Sequence, residues 1–120
     1  MAWEVFTGMS LNPQVHEPFL CELESEGERV RLRPKGEIDM ATVPVVAAHL
    51  SELEAAGFKQ VTLDLRAVCF LDPTGLRMIL EWDARSRADG FAFSVVAGPP
   101  TVQRLFDLTD TTPRLTFIDG

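Results

Sequence analysis

The sequence predicts a single α/β domain with a mixed, mostly parallel sheet and packed helices. Several short segments alternate apolar and polar residues, as half-buried strands do, and three later segments change to a helical spacing. Each helical segment lies between two strand-like segments, so the crossovers favour parallel pairing. A chain of 120 residues buries roughly two-thirds of its unfolded surface. One hydrophobic core therefore suffices.

The amino-terminal part shows no sustained periodicity of apolar residues. Residues 1–18 mix Trp3, Phe6, glycine and prolines, and we interpret them as an extension, partly extended and packed through the two aromatic side chains. Residues 19–119 form the domain. This domain begins with a predicted hairpin: residues 19–24 alternate, residues 25–28 favour a turn, and the alternation returns with Val30 and Leu32.

The first helix is predicted from Thr42 to the stop signal at Gly57. Its apolar face consists of Val43, Val46, Ala47, Leu50 and Leu53.

The strongest pattern is a strand, a turn and a helix between residues 61 and 89. Residues 61–65 alternate, and residues 68–71 continue the strand after a short kink. The spacing then becomes helical, with apolar residues at Leu76, Ile79, Leu80 and Ala84. The segment Asp72-Pro73-Thr74-Gly75 must join the two, since Asp is a favoured helix cap and Pro suits the first helical position. Such joints often carry function in α/β folds.

The remaining elements complete the sheet. The second helix ends at Asp89-Gly90, and we expect surface ion pairs from Glu81 to Arg85 and from Asp83 to Arg87. Residues 91–96 form an interior strand, and residues 114–118 form the last one. Between them lies a helix that begins at residues 98–100 and carries Val102, Leu105 and Phe106.

Composition excludes several classes of partner. Eleven basic and 18 acidic residues give a net charge of −7, which argues against nucleic acid and anionic membrane surfaces but permits a basic protein partner. No apolar run approaches the ~20 residues of a membrane span, and the amino end does not resemble a signal peptide. We therefore expect no membrane insertion and a cytoplasmic location.

No catalytic or cofactor-binding constellation is visible. His16 and His49 are isolated, and Cys21 and Cys69 lie in strand-like apolar runs where we expect buried, reduced thiols. No phosphate-binding loop, dinucleotide fingerprint or Cys/His cluster occurs. Three aspartates lie at predicted strand ends, namely Asp39, Asp64 and Asp72. Capping and turn formation account for a carboxylate at such a position without a catalytic role. We expect no enzyme activity, no metal and no cofactor.

Three motifs carry a resemblance to a known family. Asp72 to Leu76, after a strand containing Leu63-Asp64-Leu65, resembles the signature turn of the STAS domain, which is found in anti-sigma factor antagonists and in some anion transporters. Gly36 to Asp39 is similar to the Gly-Glu-Leu-Asp element of that family, and residues 98–109 are similar to its last helix. The likeness covers residues 17–119. It departs at Pro73, where phosphorylatable members have a serine.

The resemblance implies a binding function. Family antagonists dock on an anti-sigma factor, a Ser/Thr kinase of the GHKL type, which then releases its sigma factor. The docking face is the exposed turn with the helix that follows. Carried onto this sequence, it comprises Asp39, Asp72, Pro73, Thr74, Gly75, Arg77 and Glu81.

The usual phosphorylation switch is absent, because Pro73 has no hydroxyl. Thr74 is the neighbouring candidate for phosphorylation, although a Thr in the first helical turn also suits capping. Alone, the protein is expected to be a monomer.

Two other hypotheses remain open. The chain fits a STAS scaffold or subunit of another cytoplasmic complex, such as a lipid-transport ATPase or a stress-sensor assembly. It also fits an enzyme or small-ligand carrier that uses the helix amino end as an anion site.

Overall fold

The computed structural model describes residues 4–8 and 19–120, with side chains from residue 19 onwards. The strands are β1 (Glu4–Gly8), β2 (Phe19–Glu26), β3 (Arg29–Ile38), β4 (Gln60–Asp64), β5 (Val68–Leu71), β6 (Ala92–Val96) and β7 (Phe117–Ile118). The helices are α1 (Val43–Ala55), α2 (Pro73–Asp89) and α3 (Pro100–Leu108). The predicted packing of Trp3 and of the Phe6 side chain lies outside the described residues.

The sheet is mixed and mostly parallel, which confirms the predicted fold class. Its strand order is β1-β2-β3-β4-β6-β7, and β5 pairs with β3 beyond the end of β4. The pairs β1–β2 and β2–β3 are antiparallel, whereas all other pairs are parallel. The extended conformation expected within residues 1–18 is found at β1, which pairs with β2.

The three helices cover one face of the sheet. The crossovers through α1, α2 and α3 all move in the same direction across the sheet, and right-handed crossovers of this kind place their helices on one side. Burial alternates accordingly along the strands: Leu32 and Leu63 are fully buried, whereas their neighbours Arg31 and Thr62 are only half-buried. The opposite face of the sheet is therefore open and polar.

Helix α2 has a broader buried surface than its sequence pattern predicted. Leu76 and Ile79 are buried as expected, but Met78 and Trp82 are buried too, and Ala84 is exposed. The reason is that α2 packs against α1, α3 and β6, so a wide arc of its surface is covered. Gly90 ends the helix with a left-handed φ of 80°.

One of the two predicted ion pairs on α2 forms. Arg87 donates to the largely buried carboxylate of Asp83. Arg85 does not pair with Glu81: its Nε lies 2.8 Å from Oε1 of Glu54 on α1 and 3.3 Å from Oδ2 of Asp89. Arg85 therefore links α2 to α1.

The two cysteines occupy different environments. Cys21 is fully buried on β2, as expected, and desolvation by burial raises the pKa of its thiol to about 12. Cys69 is exposed, which contradicts the prediction of burial. The reason is that β5 is a short strand that pairs with β3 alone, which leaves both of its middle residues exposed.

The carboxyl-terminal strand is shorter than predicted. Residues 112–114 form a 3₁₀ turn, and only Phe117 and Ile118 pair with β6. Phe117 anchors this short strand, because its ring packs edge-to-face on Phe106 of α3 with a centroid separation of 5.6 Å.

Asp64 is a buried carboxylate at the end of β4, on the open face of the sheet. The predicted turn contact exists, since Oδ1 accepts the backbone N–H of Arg66 at 3.1 Å. The sequence did not reveal three guanidinium contacts to Oδ2: Arg66 Nη2 at 2.7 Å, Arg33 Nε at 3.1 Å and Arg31 Nη1 at 3.4 Å. Burial alone raises the pKa of Asp64, but the hydrogen bonds from Arg66 and Arg33 outweigh it and hold this pKa below its ordinary value.

We predict that Asp64→Asn lowers the free energy of unfolding by about 2 to 4 kcal/mol, because it removes the anion that three guanidinium groups share. Urea unfolding at pH 7 measures the change. Because the folded-state pKa is lowered, the contribution of Asp64 is present above its unfolded pKa and is lost as pH falls through the folded value.

The matched control is Glu52→Gln, an exposed residue on α1. The variant Asp64→Asn should also lose part of the acid sensitivity of the wild type. Equal urea midpoints for Asp64→Asn and wild type would contradict a stabilising role for the cluster.

Candidate functional site

Two turns meet at one edge of the sheet. Strands β3 and β5 run parallel with Ile38 opposite Leu71, so their carboxyl ends lie side by side. The backbone N–H of Asp72 donates to the carbonyl of Ile38 at 3.1 Å. The structure therefore brings the turn at Asp39 next to the turn at Asp72, which the sequence had placed 33 residues apart.

The carboxylate of Asp39 is used within its own turn. Its Oδ1 accepts the backbone N–H groups of Ala41 at 2.9 Å and Thr42 at 3.1 Å. The buried hydroxyl of Thr42 donates to the carbonyl of Glu37 at 2.7 Å and accepts from the N–H of Asp39 at 2.9 Å. These bonds fix the turn and leave Met40 at its tip.

The carboxylate of Asp72 caps α2, as its position predicted. Its Oδ1 accepts the backbone N–H of Gly75 at 2.9 Å. The same oxygen accepts the hydroxyl of Thr74 at 2.5 Å. Thr74 therefore does not cap the backbone itself but holds the capping carboxylate, and Pro73 occupies the first helical position.

Gly75 lets α2 approach the sheet closely. A Cβ atom at this position would lie 2.5 Å from Cδ1 of Leu71 and 2.8 Å from Cγ2 of Ile38. Both neighbours are buried, so a larger residue would push the start of α2 outward. Gly75 is itself buried, so it positions the turn and presents no exposed surface.

Pro73, Arg77 and Glu81 form the exposed face of α2. Their spacing of four residues places them in a row along one side of the helix.

Two large exposed apolar residues that the sequence pattern did not indicate flank the two turns. Met40 is 74% exposed at the tip of the Asp39 turn, and Phe70 is 50% exposed on β5, two residues before Asp72. Met and Phe are enriched in protein interfaces, and exposed apolar side chains next to charged ones are typical of a protein-binding surface. Of the two, only Met40 could have been recognised from the sequence as exposed, because it is an apolar residue inside a polar turn. Phe70 lay in an apolar run that gave no indication of its orientation.

The described residues contain no group of three or more His, Cys, Asp and Glu side chains that could hold a metal ion. Within the same residues, no helix has the length and hydropathy required to cross a membrane.

Comparison with known proteins places this geometry in context. The family model "Mlab, STAS domain" matches residues 21–113. An anti-sigma factor antagonist from Mycobacterium paratuberculosis is 23% identical with a TM-score of 0.72, over 98% of this chain and 87% of that one.

The anti-sigma factor antagonist SpoIIAA in its unphosphorylated form is 22% identical with a TM-score of 0.70, over 83% of this chain and 87% of that one. The Bacillus cell fate determinant SpoIIAA in its phosphorylated form is also 22% identical, with a TM-score of 0.65 over 83% and 90% of the two chains. At these identities the likeness to solved structures establishes the fold.

We predict that Leu76→Ala lowers the free energy of unfolding by about 2 to 5 kcal/mol, because Leu76 is buried beneath the turn and its loss leaves a cavity. Chemical denaturation measures the change. The neighbouring exposed residue gives the matched control, since Arg77→Ala should stay within about 0.5 kcal/mol of wild type. Equal losses in both variants would contradict the assigned burial.

Proposed function

This chain belongs to the STAS domain family, and on that premise we propose that it is an anti-sigma factor antagonist. Its partner is an anti-sigma factor of the GHKL Ser/Thr kinase type, and binding releases the sigma factor that the kinase holds. The protein acts by binding and not by catalysis, in the cytoplasm and as a monomer before it meets its partner. The observation that carries the proposal is the exposed apolar and charged surface around the Asp72 turn.

The proposed docking surface consists of Met40, Phe70, Pro73, Arg77 and Glu81. Its apolar residues supply contact area, and the two charged residues on α2 supply orientation and specificity. Asp39 and Asp72 belong to the same surface but act through the turns, because their carboxylates accept hydrogen bonds from their own backbone. A chain of net charge −7 suits a partner that is basic overall, while Arg77 and Glu81 each require the opposite charge at their own point of contact.

We propose that binding is constitutive, without the phosphorylation switch of the family. Pro73 is exposed but has no hydroxyl, and Thr74 is half-buried with its hydroxyl bonded to Asp72. A phosphoryl group on Thr74 would add a charge of about −1.5 to −2 beside that carboxylate. Phosphorylation of Thr74 would therefore break this hydrogen bond, and the carboxylate of Asp72 would repel the phosphoryl group.

The lack of a hydroxyl at Pro73 also supports a second candidate function. A docking surface without a phosphorylation switch also suits a permanent subunit of another cytoplasmic complex, such as a lipid-transport ATPase or a stress-sensor assembly. In that case the surface around Met40 and Phe70 would be buried against a subunit and not against a kinase.

We predict that Arg77→Glu and Glu81→Lys each weaken capture of the cognate kinase roughly tenfold, because each places the wrong charge on the docking surface. Surface plasmon resonance with the immobilised kinase measures the affinities. Lys59→Glu and Glu28→Lys are matched controls, since they make the same charge changes at exposed residues beside the start of β4, away from the carboxyl edge of the sheet. Unchanged affinity in both α2 variants would show that the docking surface lies elsewhere on the domain.

We predict that the cognate kinase leaves the wild type unmodified and phosphorylates Pro73→Ser, whose new hydroxyl replaces an exposed residue of the turn. Intact-mass measurement after incubation with kinase and ATP detects the added group. The double variant Pro73→Ser/Thr74→Val should still be modified. An added phosphoryl mass on the wild type that disappears in Thr74→Val would contradict constitutive binding. It would show that the phosphorylation switch acts at Thr74, one residue after the usual position.

A further inference from the structure

The open face of the sheet carries a column of basic residues. Arg29, Arg31, Arg33 and Lys35 alternate along β3 with residues that face the core, and Arg66 joins them from the loop after β4. These five residues are nearly half of the eleven basic residues in a chain of net charge −7. Positive charge therefore lines β3, beside a column of carboxylates on β2 formed by Glu22, Glu24 and Glu26.

The charges at the centre of this column are not balanced. Asp64 is a single anion in contact with the guanidinium groups of Arg31, Arg33 and Arg66, so the four side chains together carry a charge of +2. The carboxylate is fully buried, whereas the three arginine side chains are 28%, 25% and 45% exposed. Asp64 thus holds the guanidinium groups in place while parts of them remain accessible to a ligand.

A depression of about 400 Å³ adjoins this cluster. Arg29, Arg31, Arg33, Gln60 and Thr62 line it on the side of β3 and β4. Glu24 lies opposite Arg31 in the register of β2 and β3, yet Arg31 is directed to Asp64 on the other side. The depression therefore has cationic and hydrogen-bonding groups along its floor.

The rim of the depression limits what can bind there. Glu24 and Glu26 line the side formed by β2 and would repel an extended polyanion. Glu26 lies opposite Arg29 and Glu24 lies opposite Arg31 in the register of β2 and β3. A small anion therefore has to reach the arginines from the side of β4, where Gln60 and Thr62 line the depression. Guanidinium groups suit such a ligand, because their parallel N–H groups bind carboxylate or phosphate oxygens in pairs.

We propose that this depression binds a small ligand through its phosphate or carboxylate group, with Arg29 and Arg31 as the recognition residues and Arg33 beside them. The site is distinct from the proposed docking surface, since it lies on the open face of the sheet near the start of β4, whereas the docking surface lies at the carboxyl edge and along α2. Binding at this site does not depend on whether the partner is an anti-sigma factor.

The test is a titration of the folded protein with inorganic phosphate at low ionic strength, followed by NMR of backbone amides and arginine Nε–H groups. Sodium acetate is the second arm, and sodium chloride at matched ionic strength is the reference. We expect saturable shifts in β3 and β4 with phosphate, with acetate, or with both. The more effective anion identifies the ligand as a phosphate or a carboxylate.

Variants assign the binding to named residues. Arg29→Gln and Arg31→Gln should each weaken binding roughly tenfold, since each removes a charge-assisted contact. Glu24→Gln should strengthen binding, because it removes a repelling carboxylate. Arg77→Gln, on the docking surface, should leave the titration unchanged.

Arg29 makes no contact with the Asp64 carboxylate, so Arg29→Gln tests the site even if Arg31→Gln fails to fold. Shifts that match chloride and do not saturate would overturn the proposal. Unaltered binding in Arg29→Gln and Glu24→Gln would overturn it equally.

Discussion

The candidate site depends on β3 changing its partner partway along its length. Residues 29–32 of β3 pair with β4, whereas residues 36–38 pair with β5, and the register shifts between Gly36 and Glu37. Gly36 makes this possible with a φ of 118°, a conformation that side chains disfavour. Its N–H donates to the carbonyl of Ala67 at 3.1 Å, between the two partner strands. Because of this exchange, β5 ends beside β3, and α2 begins beside the turn of Asp39.

Three aspartates that end strands illustrate how burial changes the role of the same side chain. Asp39 and Asp72 accept backbone N–H groups and determine the shape of their turns. Asp64 accepts one backbone N–H and then organises arginines from two separate segments on the open face. The first two fix an edge of the sheet that can contact a protein. The third fixes charged side chains on a surface that no helix covers.

Most of the fold could be predicted because it depends on local periodicity. Alternation located β2, β3 and β4, and the cap formed by Asp72 and Pro73 located the start of α2 correctly. The prediction that residues 68–71 continue the strand of residues 61–65 was wrong, because β5 is a separate strand that pairs with β3. Properties that depend on distant neighbours could not be predicted. Burial of Met78 and exposure of Ala84 follow from helices that pack on α2, and exposure of Cys69 follows from the position of β5 at the margin of the sheet.

The candidate site was predictable to a similar degree. The turn and the exposed positions on α2 followed from a motif and from helical spacing, but Met40 and Phe70 were not identified. The pairing of β3 with β5 brings the turn that carries Met40 to the same edge of the sheet as the end of β5, and local periodicity does not reveal this pairing. The arginine contacts to Asp64 were missed for a related reason, since residues 31, 33 and 64 come together only through strand pairing.

The contrast between the two cysteines makes this domain suitable for attaching a single spectroscopic probe. A thiol reacts with maleimides as its thiolate, and a buried group with a pKa of about 12 supplies almost none at neutral pH, so Cys21 resists alkylation. Cys69 is exposed and directly precedes Phe70 on β5. A fluorophore can therefore be attached without any mutation on β5, three residues before Asp72, where its emission reports whether this edge of the sheet is in water or covered by another protein.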